Sequence, residues 1–184
     1  MKSIDILVDE HNNIKKVLGV IRKACVQIVE DGEINHEDFF DMIDFIRNYA
    51  DKYHHGKEED MLFIDMSKEL GNDIKNGPIQ GMLIEHDLGR RYIGNLDIAL
   101  TKHQGGDKDA KVDIIANAIS YANLLAEHIH KEDNALYQFA IRRLTDKTKD
   151  KLNQEIEEFE SLKEHQDTRE KYIEMANRLQ KKYQ

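Results

Sequence analysis

Apolar residues recur along this chain at alternating steps of three and four, the spacing that keeps side chains on one face of an α-helix. The series Ile4, Leu7, His11, Ile14, Leu18, Ile21, Cys25, Ile28 predicts a helix from about residue 4 to 31, stopped at Asp31-Gly32. A second helix is predicted from Asn35, an N-cap with Asp38 three residues on, to Leu70-Gly71. Its apolar face is Phe39, Ile43, Ile46, Ala50 and Met61. Residues 71–77, rich in Gly, Asn, Asp and Lys, read as a loop, and Pro78 fits the first turn of a third helix. That helix carries Ile79, Met82, His86, Gly89, Ile93, Leu96, Leu100 and His103 in one seam. Gly89 inside it costs about 1 kcal/mol relative to Ala, which points to close approach of a neighbouring helix or ligand. A fourth helix, from about 108 to 143, places Ile114, Ala118, Tyr121, Leu125, His128, Glu132, Ala135 and Phe139 in a series without a slip.

The heptad-like spacing of these seams predicts an all-α fold of helices packed nearly parallel or antiparallel. Residues 146–184 form a fifth, strongly charged helix with a sparse apolar side that includes Phe159, Leu162, Tyr172 and Leu179. Its composition fits both packing on the outside of the bundle and a homodimer contact.

Composition narrows the class. A chain of 184 residues with 1 Pro and 10 Gly suits one helical domain with a sizeable core. Acidic and basic residues are interspersed, and the net charge of −9 leaves no basic stripe for nucleic acid. The single Cys25 cannot form an internal disulfide, which fits a reducing compartment. No signal peptide is visible at the N-terminus, and no run approaches the ~20 apolar residues of a membrane span. A cytoplasmic location is expected.

The exceptions to the apolar pattern carry the chemistry. His11, His86 and His128 sit on seams, where an imidazole needs a partner, and Glu132 follows four residues after His128. His54 and Glu58 repeat that spacing on the second helix, one above the other on one face. The segments YHHGKEEDMLF at 53–63 and HIHKEDNALY at 128–137 resemble one another, as do Glu10-His11 and Glu85-His86, at an interval of roughly 75 residues. Each half thus offers one lone His and one His-x-x-x-Glu pair. Convergence of His11, His54, Glu58, His86, His128 and Glu132 would give a dinuclear metal site with two His and one carboxylate per ion. That count suits non-haem iron with open positions, and zinc or manganese accept the same donors. His36, His55, His103, His130 and His165 read as surface residues, with His130 placed to support the site.

These motifs, with GPIQGMLIEHD at 77–87, make the chain resemble the hemerythrin-like (HHE cation-binding) family over about residues 4–140. The resemblance implies an antiparallel up-down four-helix bundle at 1–145 with the charged helix added at 146–184. It also implies two iron ions held by His11, His54, Glu58, His86, His128 and Glu132, with Glu58 and Glu132 as bridges beside an oxo or hydroxo group. Oxygen-carrying members have a further His four residues after the one matched by His86, where this chain has Arg90. They have Asp where it has Glu132. The remaining set of four His and two Glu resembles di-iron proteins of nitrosative stress and iron–sulfur repair, without the Cys pair many of those carry. The expected function is to bind or reduce a small oxidant (oxygen, peroxide or nitric oxide) as sensor, scavenger or repair factor, with an external reductant. The alternative is a non-catalytic module for iron storage, delivery or sensing.

Overall fold

The computed structural model describes residues 1–184, all-helical and without a strand. Six helices follow one another. Helix α1 spans Lys2–Asp31. Helix α2 covers 36–70: it is α-helical over His36–Phe45, π-helical over Ile46–His55 and Glu58–Leu62, and α-helical again over Phe63–Leu70. Helix α3 covers 72–104, with a π-helical stretch Lys75–Ile79 ahead of Gln80–Gln104. Helix α4 covers 110–143, in which the π-helical Glu132–Leu136 joins Ala110–Lys131 to Tyr137–Arg143. Helices α5 (Asp146–Ser161) and α6 (Lys163–Lys182) complete the chain. No helix is long and apolar enough to cross a membrane.

Local chemistry sets the breaks. Gly32 adopts the left-handed conformation, φ 77°, and its N–H caps the carbonyl of Ile28. Asn35 Oδ1 accepts the Asp38 N–H at 3.1 Å and opens α2. Gly71, φ 86°, separates α2 from α3. The expected loop at 71–77 is instead helical from Asn72 onward, and Pro78 lies inside the π-helical turn. A wider turn accommodates a residue that has no N–H to give. The expected single fifth helix is two, because Leu162 is extended at φ −68°, ψ 132°.

The π-helical turns also correct the register of two seams. Tyr137 N–H bonds the Glu132 carbonyl and Phe63 N–H bonds the Glu58 carbonyl, each spanning five residues. One extra residue per turn shifts everything beyond it. After Glu132 the buried residues are Leu136, Tyr137 and Ala140, while Ala135 is exposed and Phe139 half-buried. After Glu58 they are Leu62, Phe63 and Met66, and Met61 is half-buried.

Apolar side chains gather in two clusters. The larger holds Ile14, Leu18, Ile21, Phe39, Ile43, Ile93, Leu96, Ile114 and Leu125 among others. The smaller holds Ile4, Leu7, Leu62, Phe63, Met66, Ile79, Met82, Leu136 and Tyr137 among others. On α1 and α3 the smaller cluster comes first along the chain, and on α2 and α4 it comes last. Between the clusters each of the four helices contributes a buried His. Helix α6 packs along α1 and α2 and puts Tyr172, Ala176, Leu179 and Tyr183 into the larger cluster. Helix α5 lies against α1 and the Glu58–Leu62 turn, and Leu152 joins the smaller cluster.

Candidate metal centre

The structure brings the six residues expected from the sequence into the buried layer between the two apolar clusters. Their side chains are all within a percent or so of full burial. Glu132 reaches one imidazole from each half: Oε2 lies 3.3 Å from His11 Nε2 and Oε1 lies 3.2 Å from His128 Nε2. Glu58 does the same, with Oε2 3.7 Å from both His54 Nε2 and His86 Nε2. The Nε2 atoms of His86 and His128 face each other at 3.1 Å.

Every one of these imidazoles turns its other nitrogen to a carboxylate. His54 Nδ1 meets Glu10 at 2.7 Å, His128 Nδ1 meets Glu85 at 2.9 Å, His86 Nδ1 meets Glu59 at 2.6 Å and His11 Nδ1 meets Asp133 at 2.7 Å. An Nδ1–H donated to a carboxylate leaves Nε2 as a lone pair aimed inward, the form a metal takes. The pattern follows the internal repeat. Glu10 and Glu85 each hold the His of their own half's His-x-x-x-Glu pair. Glu59 and Asp133, each directly after the buried Glu, hold the lone His of the other half. A cation backs each carboxylate in turn: Lys57 pairs with Glu10, Lys131 with Glu85, Arg90 with Glu59 and Lys15 with Asp133. Phe63 and Tyr137 occupy matching places beside His86 and His11, but only Tyr137 has a hydroxyl, which donates to Glu58 Oε1 at 2.6 Å.

Electrostatics show what this layer lacks. His11 Nε2, His54 Nε2, Glu58 Oε2 and both oxygens of Glu132 are buried without a hydrogen-bond partner. Burial and the neighbouring Glu132 carboxylate push the Glu58 carboxyl well above its usual range. Burial opposes ionisation of Glu132 too, but His128 and His11 outweigh it and hold that carboxyl well below its usual range. Burial drives His54 well below the ordinary imidazole value, reinforced by His11 and His55. Inward-facing imidazole nitrogens and orphaned carboxylate oxygens are the donor set of a transition-metal site, and bound cations would satisfy these unpaired atoms.

Two expectations about the remaining histidines fail, those for His55 and His130. His55 is not a surface residue: it is 5% exposed and stacks on His86, ring centroids 3.7 Å apart. Burial, then the nearby His86, lowers its pKa to about 3. Its Nδ1 meets Asp51 at 3.3 Å, so it is dressed like the other four imidazoles. The donors accordingly fall into two groups whose ligand atoms lie within 4.8 Å of one another: His55, Glu58, His86 and His128, and His11, His54 and Glu132. Ile129 holds the position of His55 in the second half of the repeat, so the two groups are unequal. Of the other His, His130 is exposed and bonded by Asn134 Nδ2, not by the site. His36 and His103 are half-buried against each other, and His165 is half-buried against Phe159. The sequence reading overlooked Glu10, Glu59, Glu85 and Asp133, although the repeat carries all four.

Neither a curated protein nor a solved structure matches the chain. The family profile of the hemerythrin HHE cation binding domain matches residues 2–140, a span that contains every donor above and both halves of the repeat. With that match over three-quarters of its length, the chain belongs to the hemerythrin HHE cation-binding domain family.

Proposed function

We propose that this protein holds two iron ions and binds or reduces a small oxidant such as oxygen, peroxide or nitric oxide. The observation that carries the reading is the layer of five buried imidazoles, each with Nδ1 on a carboxylate, gathered about Glu58 and Glu132. His55, Glu58, His86 and His128 would hold one ion, and His11, His54 and Glu132 the other. Bound ferrous iron supplies electrons and open coordination positions for a small ligand. The alternating order of the two clusters along α1 to α4 supports an antiparallel up-down bundle as the scaffold of this site.

The chain's own residues have separate tasks in this account. Glu10, Glu59, Glu85 and Asp133 fix imidazole orientation and tautomer. Tyr137 holds one oxygen of Glu58, which leaves Oε2 directed at His54 and His86. Glu132 has both oxygens free and reaches His11 and His128 at once, so it would serve as a donor to both ions. The apolar clusters on either side keep bulk water from the layer. Cys25 is no electron donor here: it lies in the larger cluster, and burial pushes its thiol up to about 11. Turnover therefore draws on a reductant from outside the chain.

Anaerobic reconstitution with ferrous iron, followed by oxygen, peroxide and nitric oxide in separate optical titrations, tests the reading. A saturable change in the iron absorption with at least one of them supports it. Iron that is taken up and released with no response to any of the three would instead mark a storage or delivery module.

A further inference from the structure

A cavity of about 230 Å³ opens between α2, α3 and α4 on one side of the buried layer. His55 and His86 form its inner wall, and Gly89, Ile93, Tyr121 and Leu125 line the rest. A cavity of roughly 150 Å³ already admits a benzene-sized molecule, so this one has ample room for a ligand of two to four heavy atoms. Arg90 stands at the wall, its Nε 2.9 Å from Asp51 Oδ1 and its NH2 group 2.7 Å from Glu59 Oε1.

Tyr121 is the unexplained group here. Its side chain is 2% exposed, yet its hydroxyl has no hydrogen-bond partner in the protein. A buried hydroxyl left unpaired is destabilising, and its position is retained where something else completes it. Gly89 faces the ring: a Cβ there would lie 3.4 Å from Tyr121 Cε2, in ordinary contact with it. The internal repeat sharpens the point. The counterpart of Gly89 in the first half is Ile14, which is fully buried in the larger cluster, and the counterpart of Tyr121 is Arg47. Ile14 thus packs into the core where Gly89 lines the cavity, and the cavity's side is the one that carries the additional imidazole of His55.

Resting on the dinuclear reading above, we propose that this cavity is the seat of the exogenous ligand, and that Tyr121 donates its hydroxyl proton to it. The ligand class is a small, compact molecule or monoanion with a hydrogen-bond acceptor, such as a peroxide. The charged groups on the wall balance, Arg47 and Arg90 against Asp51 and Glu85, so no larger net charge is favoured. The inner end of the ligand faces His86 and His55, and its acceptor atom meets Tyr121. Tyr121 is a positioning residue that selects for ligands able to accept a hydrogen bond.

Azide serves as the probe, titrated optically into iron-loaded wild-type protein and the Tyr121→Phe variant, with iron content measured on both. Phe keeps the ring and removes only the hydroxyl. The expected result is unchanged iron content with azide Kd raised roughly tenfold, the scale of one hydrogen bond to a charged acceptor. In the metal-free proteins Tyr121→Phe is expected to melt no lower than wild type, since the hydroxyl has no protein partner to lose. Full iron loading with an unchanged azide Kd overturns the cavity proposal alone, as does a lowered melting temperature of the metal-free variant. Failure of the wild-type protein to retain iron overturns the dinuclear reading and this proposal with it.

Discussion

His55 and His86 lie face to face, their rings 11° from parallel, although one is on α2 and the other on α3. The neighbouring His54 points into the same layer, its ring centroid 5.6 Å from that of His55. Consecutive residues of a regular α-helix diverge by about 100° and could not both reach one site comfortably. Within the π-helical Ile46–His55 the turn is wider, and both do.

Both imidazoles should therefore matter to metal binding, in different ways. His54→Ala strips the group of His11, His54 and Glu132 of one of its donors and is expected to lower iron content toward one ion per chain. His55→Ala leaves the other three donors Glu58, His86 and His128 in place, so the second ion should be retained but bound at least roughly 10-fold more weakly. Elemental analysis after graded chelator dialysis separates the two. Full metal retention by His55→Ala at every chelator level would make His55 a packing residue only.

The four long helices were legible because their seams, caps and glycine stops are local chemistry, and the inward His and Glu were legible because they interrupt those seams. Register beyond Glu58 and Glu132 was not. A π-helical turn has no signature in a 3.6-residue pattern, so Ala135 and Phe139 took the places that belong to Leu136 and Ala140. His55 was lost for the same reason. The carboxylates that hold the imidazoles were hidden differently: Glu10, Glu59, Glu85 and Asp133 look like ordinary solvated charges in a chain that is 34% charged. Their places at equivalent points of the repeat were the available signal. The break at Leu162 follows from tertiary packing of α5 and α6, which a sparse apolar side does not specify.

Lys57 and Lys131 are repeat partners with the same task but unequal burial. Lys57 is fully buried between Glu10 and Glu160 of α5, with its ammonium 3.9 Å from the Tyr53 ring centre, whereas Lys131 is 42% exposed. Removing one partner of a buried ion pair leaves the other charge uncompensated, so Lys57→Ala should cost about 3–5 kcal/mol. Lys131→Ala should cost about 1 kcal/mol or less. Urea unfolding of the two metal-free variants checks this, and equal costs would refute the assigned asymmetry.

Acid should loosen the α2–α3 contact beside the site. The hydrogen bond from His86 lowers the Glu59 carboxyl to about 2, with Arg90 adding to it against burial. Burial opposes ionisation of Asp51, but His55 and Arg90 outweigh it and bring its pKa also to about 2. A carboxyl whose pKa is depressed on folding contributes stability that is complete above its unfolded value, near 4 for both groups, and fades as pH falls through 2. Metal-free wild-type protein should lose stability across that window. Glu59→Gln should start lower and show a shallower decline, read from melting temperatures between pH 5 and 2. Parallel curves would mean that Glu59 is not tied to folding through its charge.

The central claim is that the orphaned donors of the buried layer belong to two metal ions. Elemental analysis of the full chain after anaerobic reconstitution with ferrous iron and removal of the excess by gel filtration tests it most directly. The account predicts close to two ions per chain, since the two donor groups of the layer are separate and both buried. A protein that emerges with no bound iron, zinc or manganese under these conditions would contradict it.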